Sequence, residues 1–584
     1  MSEVARAPAG VSPLHALLAS GAVGEERYYR ALAEGLGCAY YLGSPKIAED
    51  FDPGQGLRSG VAPLAAPYGA ARAVIAPRPP VMSRLVEMTL SGQLRPESFV
   101  VTSPQRFAAL VRAQYPRGVL RNALSRLPAA LSAKTRLTRA QAGFLGLVAV
   151  AAGAAGAIDG PLLSAFASAA LWIVFMASIA MRALASVANP DEARPRMLTD
   201  DELPTYTIVA PVYREGNVVR QLVGAFDALD YPKSKLDIKF MVERRDRETL
   251  SRLASLDLPA RYEVVVAPPG EPTTKPRALN LALAEARGEL LVVYDAEDIP
   301  APGQLRLAAS RFAAERDVDC LQARLTVRNA WDSWLSRLFA LEYAALFDLI
   351  NPGLCALGLP IALGGTSNHF RVAALVAVGG WDEWNVAEDA DLGIRLARYG
   401  YKIGTLDSDT SEEAPHEFRN WLRQRVRWQK GWMQTCIVHS RHPIRFVRDL
   451  GALRSFAAAI LIFGAVTSAL LWPAFALSTL WRAFGPGEAE LSRWREAMDV
   501  YVYLLASAGV WSIFVPAVVA ARQRRLNLGA GAFALLPVYY ALASLAGWTA
   551  IVDLIVRPHF WAKTEHGRVR RDPVGAGVLQ RSPA

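Results

Sequence analysis

Two blocks of long apolar segments constrain the fold of this chain more than any other feature. The first block holds residues 142–158 and 161–180, which are almost free of charge and are joined by Asp159-Gly160. The second block holds residues 455–480, 501–520 and 532–556. Because roughly 17–25 apolar residues cross a bilayer as a helix, we predict a transmembrane hairpin and a C-terminal block of three spans.

Basic residues beside these segments predict which side of the membrane they face. The net charge is +10 at pH 7, and the flanking arginines are Arg136, Arg139, Arg182, Arg522, Arg524, Arg525, Arg568, Arg570 and Arg571. The positive-inside rule places these flanks, and the long region between the two blocks, in the cytoplasm of a multi-pass inner-membrane protein in contact with lipid. Basic residues that border spans do not form the stripe that nucleic acid requires, so no nucleic acid is expected as a partner.

The N-terminus and the cysteines indicate the same compartment. Residues 1–18 show no signal-peptide pattern, so we expect the region before the first span to stay in the cytoplasm. The four cysteines (Cys38, Cys320, Cys355 and Cys436) are far apart and have no CxxC spacing. Neither a zinc site nor a disulfide framework is therefore expected.

The number of spans conflicts with the basic tail. Five crossings would place the C-terminus outside, whereas the tail arginines favour the cytoplasm. We expect one segment to be re-entrant or interfacial, or one long stretch to cross twice. Residues 532–556 are the first choice, because Pro537 and Gly547 can break a helix there.

Between the two blocks the pattern changes to alternating strands and helices. Residues 205–210, 237–243, 262–267 and 289–294 are β-branched, apolar runs, and helical patterns such as 218–229 and 277–286 lie between them. This alternation predicts a parallel sheet that binds its ligand at the carboxyl ends of the strands. Two apolar helical stripes, at residues 331–350 and 416–435, are expected at the membrane surface.

Three motifs in this region carry the chemistry. A buried strand ends in Asp295-Ala296-Glu297-Asp298, and such carboxylates need a compensating positive group. A second acidic group, Glu388-Asp389-Ala390-Asp391, follows later, and Asp391 is expected to cap the helix that begins there. The third motif places Gln424, Arg427 and Trp428 on one face of a helix.

The order of these motifs, between two membrane blocks, resembles the processive, membrane-embedded family 2 glycosyltransferases, which make cellulose, hyaluronan and related polysaccharides from nucleotide sugars. The resemblance covers about residues 205–567. It implies an α/β glycosyltransferase A-type domain with a mostly parallel sheet, plus an α-helical transmembrane bundle. It departs from the family pattern at Glu297, which replaces an aspartate, and at Ala387, which replaces a threonine.

The resemblance also implies roles for these residues. Asp295 and Glu297 would hold Mg²⁺ or Mn²⁺, which prefer hard oxygen ligands. Asp389 would be the base that deprotonates the acceptor, with Glu388 orienting that acceptor. Arg427 would pair with the departing diphosphate, while Trp428 and Gln424 would contact the acceptor sugar.

The weaker matches complete the expected site. On the nucleotide side the resemblance implies Pro211, Tyr213, Glu215, Asp246 and Lys275; Arg244 and Arg245 stand where relatives often carry acids. On the acceptor side it implies Gly365 and Thr366. A segment like the gating segment of related synthases would contribute Trp561, Lys563 and Thr564. An ordinary basic tail on the lipid surface is the alternative for that segment.

The first 127 residues look like a separate small α/β domain. Their pattern resembles the N-terminal domain of type II secretion ATPases, some of which bind cyclic di-GMP. The binding version opens with Arg-Leu-Gly, whereas this chain has Ser12-Pro13-Leu14. We therefore expect a docking or regulatory module with cyclic di-GMP or a protein as its possible partner, and a small domain without ligand remains the alternative.

The expected domains are therefore 1–127, a linker at 128–140, the hairpin at 141–183, the glycosyltransferase domain at 205–445, the C-terminal block at 453–556 and the tail at 557–584. The expected function is metal-dependent, inverting polymerisation of a nucleotide sugar, most simply a UDP-hexose, into a β-linked exopolysaccharide of the kind found in biofilms. The growing polysaccharide would leave through the transmembrane helices. Transfer of one sugar to a lipid phosphate and a catalytically silent nucleotide receptor are the alternatives.

Overall fold

The computed structural model describes residues 7–123, 127–188, 195–485 and 493–561. In the N-terminal region the helices are α1 Pro13–Ser20, α2 Glu25–Leu36, α3 Pro53–Ser59, α4 Pro79–Leu90, α5 Pro104–Gln114 and α6 Pro116–Ala123. The strands there are β1 Ala39–Tyr40, β2 Val61–Tyr68, β3 Ala71–Ile75 and β4 Phe99–Val101, in the sheet order β1-β4-β3-β2. Gly21 ends α1 in a left-handed conformation and so separates α1 from α2.

A larger sheet forms the centre of the molecule. Its strands are β5 Tyr206–Val212, β6 Leu236–Glu243, β7 Tyr262–Ala267, β8 Leu290–Val293, β9 Ile299–Pro300, β10 Val318–Val327, β11 Asn368–Arg371 and β12 Lys402–Glu412, in the order β7-β6-β5-β8-β11-β10-β12-β9. The four predicted strands pair in parallel. The sheet as a whole is mixed, because β11 runs antiparallel to both β8 and β10, and β9 runs antiparallel to β12.

Helices cover both faces of this sheet. They are α8 Val219–Asp227, α9 Arg247–Ala254, α10 Lys275–Ala284, α11 Gln304–Ala314, α12 Trp334–Ala345, α13 Asn351–Ala356, α14 Val372–Ala377, α15 Glu388–Arg398, α16 Phe418–His439 and α17 Pro443–Leu450, with α7 Arg139–Val187 before the sheet. Burial of β-branched and aromatic side chains from β5, β6 and β8 forms the main core. An α/β domain of the glycosyltransferase A type, as predicted, therefore lies between the two apolar blocks.

After this domain the chain is almost entirely helical. The helices are α18 Ala452–Ala459, α19 Ala465–Phe484, α20 Arg493–Gln523, α21 Gly529–Ala534 and α22 Leu536–Val556, with π-helical turns at Ile460–Gly464 and, after α12, at Leu346–Ile350. Within the described residues, six helical segments are long and apolar enough to cross a membrane: Arg139–Gly160, Phe166–Val187, Trp334–Ala356, Ala452–Phe484, Met498–Gln523 and Gly531–Val556.

One of these six segments cannot form a single crossing of the membrane. Trp334–Ala356 lies between β10 and β11, which pair in the same sheet, so the chain must leave and return on one side. Its most apolar stretch is 72% buried inside the protein. This agrees with the interfacial position expected for residues 331–350.

Helix breaks were predicted at the turn of the first hairpin and within the last span. The helix α7 departs from helical geometry at Asp159, where the hairpin turn was expected. The predicted break at Pro537 is present, since α21 ends at Ala534 and α22 begins at Leu536 with Pro537 in its first turn, where no intrahelical hydrogen bond is lost. The predicted break at Gly547 is wrong, because α22 continues to Val556. Gly547 instead gives close packing, since a Cβ there would lie 3.4 Å from the Cβ of Ala469.

The N-terminal region packs directly on the edge of the central sheet. Arg112 on α5 donates from Nη2 to Glu263 Oε1 at 2.5 Å and from Nε to Glu285 Oε1 at 3.0 Å. Glu263 belongs to β7, and Glu285 caps the C-terminus of α10. Leu120 on α6 lies against the loop before α10, 2.9 Å from where a Cβ on Gly270 would be. The N-terminal region therefore contacts the C-terminal end of α10 and the loop that precedes this helix.

Candidate active site

One cavity of about 700 Å³ opens where the carboxyl ends of β5 and β8 meet α15, α16 and the segment after α22. It is lined by fourteen of the residues that the sequence singles out: Pro211, Tyr213, Glu215, Lys275, Asp295, Glu297, Gly365, Thr366, Glu388, Asp389, Gln424, Arg427, Trp428 and Trp561. Lys563 and Thr564 lie outside the described residues. Residues that are far apart in the chain thus converge on one site.

The acidic end of β8 is held by a tight turn. The backbone N–H of Asp295 donates to Asp298 Oδ2 at 2.7 Å, and the hydroxyl of Thr366 donates to the same oxygen. Burial and the neighbouring charge of Asp295 raise the pKa of Glu297 to about 7. Because several carboxylates lie close together at the end of β8, a positive charge bound beside them would be stabilised.

Part of that positive charge comes from Lys275, the first residue of α10. Its Nζ lies 2.5 Å from Asp295 Oδ1 and donates to the carbonyl oxygen of Gly365 at 2.7 Å. Burial opposes the charged form, but the Asp295 carboxylate outweighs it and raises the pKa of Lys275 above its usual value. Lys275 therefore connects the acidic strand end with the Gly365 loop, a contact that the sequence did not predict.

The residues also fit a divalent cation. The buried Asp298 Oδ1 has no hydrogen-bond partner among the described residues, and Asp295 and Glu297 lie beside it in the cavity wall. No group of three or more His, Cys, Asp or Glu side chains with metal-ligand geometry occurs in the part of the chain that the structure describes. Mg²⁺ commonly binds through one or two carboxylates and completes its shell with phosphate oxygens and water, so this set is sufficient.

A second pair of carboxylates faces the same cavity from the first turn of α15. Asp389 accepts a hydrogen bond at Oδ1 from the backbone N–H of Ala390 at 2.8 Å. Its other oxygen lies 3.2 Å from where a Cβ on Gly365 would be. Burial raises the pKa of Asp389, and burial with the Asp389 charge raises the pKa of Glu388 to about 7. A carboxylate with a raised pKa is suited to accept a proton.

Asp391, in contrast, is not the predicted helix cap. Ala387 occupies the cap position of α15, and Asp391 lies within the helix. Its carboxylate is fully buried and pairs with Arg395 at 2.9 Å and with His439 at 3.1 Å. The prediction failed because the helix begins three residues earlier, and Asp391 instead joins α15 to α16.

The helix α16 brings Gln424, Arg427 and Trp428 to the cavity. Close packing is possible because Gly431 has no side chain; a Cβ there would lie only 2.3 Å from the Cβ of Ala387. Gln424 Oε1 and Arg427 Nε are buried without a hydrogen-bond partner among the described residues. Buried polar atoms are normally satisfied, so these two are suited to a polar ligand in the cavity.

On the opposite side of the cavity the turn after β5 presents Tyr213 and Glu215. Arg214 has a positive φ of 56° in this turn, and its backbone N–H donates to Asp246 Oδ2. The other oxygen of Asp246 accepts from the N–H of Thr249 at 3.2 Å and caps α9. Asp246 is buried and does not line the cavity, so it supports the turn from behind.

The segment after α22 closes one side. Lys430 donates from Nζ to the carbonyl oxygen of Phe560 at 2.8 Å, and Arg427 lies 5.6 Å from the ring centre of Trp561. His559 packs edge-on against Trp384, with ring centres 5.0 Å apart. Trp384, His559 and Phe560 line the cavity but were not predicted as site residues, although the aromatic run from 559 to 561 was a signal for the last two.

The sheet, the acidic strand end and the carboxylates on the neighbouring helix together define a glycosyltransferase A-type domain. Comparison with known proteins agrees with this class. Residues 290–546 match the family described as glycosyl transferase family group 2. The chain therefore carries a family 2 glycosyltransferase domain.

Three relatives are similar to part of this chain. A probable glycosyltransferase, YdaM, of Bacillus subtilis is 28% identical over 39% of this chain and 56% of its own length. Beta-monoglucosyldiacylglycerol synthase of Synechocystis is 28% identical over 46% and 58%. Glucomannan 4-beta-mannosyltransferase 2 of Arabidopsis thaliana is 25% identical over 40% and 45%. The chain spans about half the length of the curated relatives that it matches.

Proposed function

We propose that this protein is an inverting, metal-dependent glycosyltransferase that extends a β-linked polysaccharide from a nucleotide sugar, most simply a UDP-hexose. Its active site would face the cytoplasm, and the product would leave through the transmembrane helices of the inner membrane. The observation that carries the proposal is the single cavity shared by Asp295, Asp389 and Trp428. A site for donor, base and acceptor requires these three groups to be neighbours.

The arrangement of charges suggests how the reaction would run. Asp389 would accept the proton of an acceptor hydroxyl as that oxygen attacks the anomeric carbon, and the bond from this carbon to the diphosphate would break on the opposite face. Arg427 and Lys275 would stabilise the negative charge of the leaving diphosphate. A divalent ion held by Asp295 and Glu297 would supply further neutralisation of that charge.

Two kinds of acceptor are compatible with the proposal, a growing polysaccharide and a lipid. Trp428 lines the cavity with a flat ring on which a sugar could stack, and the apolar helices would form the route for a long product. The name of the Arabidopsis relative agrees with a polymer, and the name of the Synechocystis relative agrees with one sugar on a lipid. We favour the polymer because Trp428, which lines the cavity, packs in one apolar cluster with side chains of α20 and α22.

Product analysis tests this choice. Purified membranes would be incubated with a panel of radiolabelled nucleotide sugars, and the products separated by size and by lipid extraction. We expect a polymer from one donor and none from the Asp389→Asn variant, which should still bind the nucleotide. A single-sugar lipid would support the alternative, and polymer from Asp389→Asn would refute the assigned base.

A further inference from the structure

Arg425 stands inside the pentad 424–428 but faces away from the proposed chemistry. Its residue is buried, with 8% exposure, and its side chain does not line the cavity. The Nη1 atom donates to Glu342 Oε1 at 2.8 Å, and Nη2 donates to Glu342 Oε2 and to the hydroxyl oxygen of Tyr539. A two-pronged pair of this kind fixes the guanidinium plane.

Three helices meet at this guanidinium. Glu342 belongs to α12 and Tyr539 to α22, while Arg425 itself belongs to α16. The hydroxyl of Tyr539 donates to Glu342 Oε2 at 2.8 Å, and Trp421 Nε1 donates to the Tyr539 oxygen at 3.3 Å. The network therefore links the catalytic helix to the interfacial helix and to the last apolar helix.

Four aromatic rings surround the same guanidinium. The distances from its central carbon to the ring centres are 5.1 Å for Phe339, 5.4 Å for Trp421, 5.3 Å for Tyr539 and 4.8 Å for Trp428. Trp428 is the nearest of the four, and it also lines the cavity. The orientation of this ring is therefore tied to the orientation of Arg425.

We infer that Arg425, held by Glu342 and Tyr539, is a positioning residue that sets the plane of the Trp428 ring for the acceptor sugar. This inference rests on the proposed function, because it assumes that an acceptor stacks on Trp428. A planar guanidinium can stack on a ring and pair with a carboxylate at once, whereas the ammonium of lysine keeps the charge without the plane.

Stability alone does not explain this network. Buried ion pairs are often no more stabilising than well-packed apolar residues of similar size. A charge with a fixed direction lies against Trp428, the one ring among these four that lines the cavity, and this placement is better explained by orientation. Arg425 would thus act on the acceptor through Trp428 without touching it.

Two substitutions test the inference in the full-length protein in membranes. Arg425→Lys keeps the charge and removes the planar contact, and Tyr539→Phe removes one hydroxyl. Arg423→Lys is the matched control, since Arg423 is exposed on the same helix. The measurements are the rate of sugar incorporation, the polymer length, the KM for the nucleotide sugar and the hydrolysis of the donor by water.

We expect Arg425→Lys to lower sugar incorporation about tenfold and to shorten the polymer, with donor KM and donor hydrolysis unchanged. Tyr539→Phe should shift the same two quantities less, and Arg423→Lys should not shift them. Equal loss of donor KM, hydrolysis and polymer would mean a general structural role and would overturn the inference. So would unchanged polymer in Arg425→Lys.

Different outcomes would exclude the proposed function and the positioning role of Arg425. If the unsubstituted protein consumed no nucleotide sugar, the proposed function would fall and this inference with it. If it made polymer while both variants matched it, only the positioning role would fall. A variant that does not accumulate is replaced by the milder Tyr539→Phe, whose normal polymer length would likewise count against the role.

Discussion

Gly365 offers a direct test of the base, because a single methyl group added there would touch it. A Cβ at this position would lie 3.2 Å from Asp389 Oδ2 and 3.7 Å from Lys275 Nζ. The φ angle of Gly365 is not positive, so alanine can adopt the same backbone conformation. The effect of Gly365→Ala should therefore come from the crowded carboxylate and not from backbone strain.

The size of the effect follows from the distance. Ordinary contacts of a Cβ begin near 3.4 Å, so Asp389 must move by a few tenths of an ångström. Misplacement of a catalytic group by about 1 Å can cost about 100-fold in rate, so the smaller shift should cost about five- to tenfold in kcat. The free energy of unfolding should change by less than about 1 kcal/mol, since the methyl group faces a cavity.

The assay is the initial rate of sugar incorporation at saturating donor, with the melting temperature measured on the same preparation. Gly303→Ala is the control, because a Cβ at Gly303 meets nothing within 4 Å. We expect the control to keep the rate of the unsubstituted protein. A Gly365→Ala protein that melts normally and keeps full activity would refute the placement of the base at Asp389.

Further predictions concern pH, metal and packing. Burial raises the pKa of Asp389 above its usual range, and burial with the Asp389 charge raises that of Glu388 to about 7; a base with a raised pKa becomes protonated, as pH falls, before an ordinary carboxyl does, so kcat/KM should decline above the usual carboxyl range, and a profile that stays flat down to that range would contradict the assignment. Chelation of divalent ions should abolish transfer, with recovery on adding Mg²⁺ or Mn²⁺; full activity in chelator would exclude the ion's proposed role. Gly353→Ala should cost about 1–3 kcal/mol of stability, because its Cβ would lie 1.8 Å from the carbonyl oxygen of Ala185; an unchanged melting temperature would argue against this helix contact. Arg112→Ala should cost about 3 kcal/mol, because the largely buried Glu285 side chain loses its arginine and Glu263 keeps only its ion pair with Lys239, and normal thermal unfolding would show that the arginine is dispensable.

The parts of the fold that sequence could predict are those with a local pattern. The strands β5 to β8 are runs of β-branched residues, so their existence and parallel order follow from alternation with helices. The convergence of Asp295 and Tyr213 follows in turn, because the ends of parallel strands meet at one edge. Motif residues that lie just after such strands were therefore placed in one cavity.

Other features depend on contacts between distant segments and leave little local trace. The strands β9 and β11 have two and four residues, too few for a period, so the antiparallel part of the sheet was not predicted. The partner of Lys275 was missed because Asp295 reaches it only through the folded sheet. In the sequence Arg425 is not distinguished from the other pentad residues, because its contacts are with two helices that are distant in the chain.

The packing of the N-terminal region against α10 matters for the design of truncated forms of this protein. Cutting the chain before the first span would expose Glu285 without its arginine and would leave Glu263 with its ion pair to Lys239. The C-terminal end of α10, the helix that begins with Lys275, would then lose its contact with Arg112. A shortened fragment is best produced with Glu285 changed to glutamine and Glu263 retained, because Glu263 neutralises the fully buried Lys239.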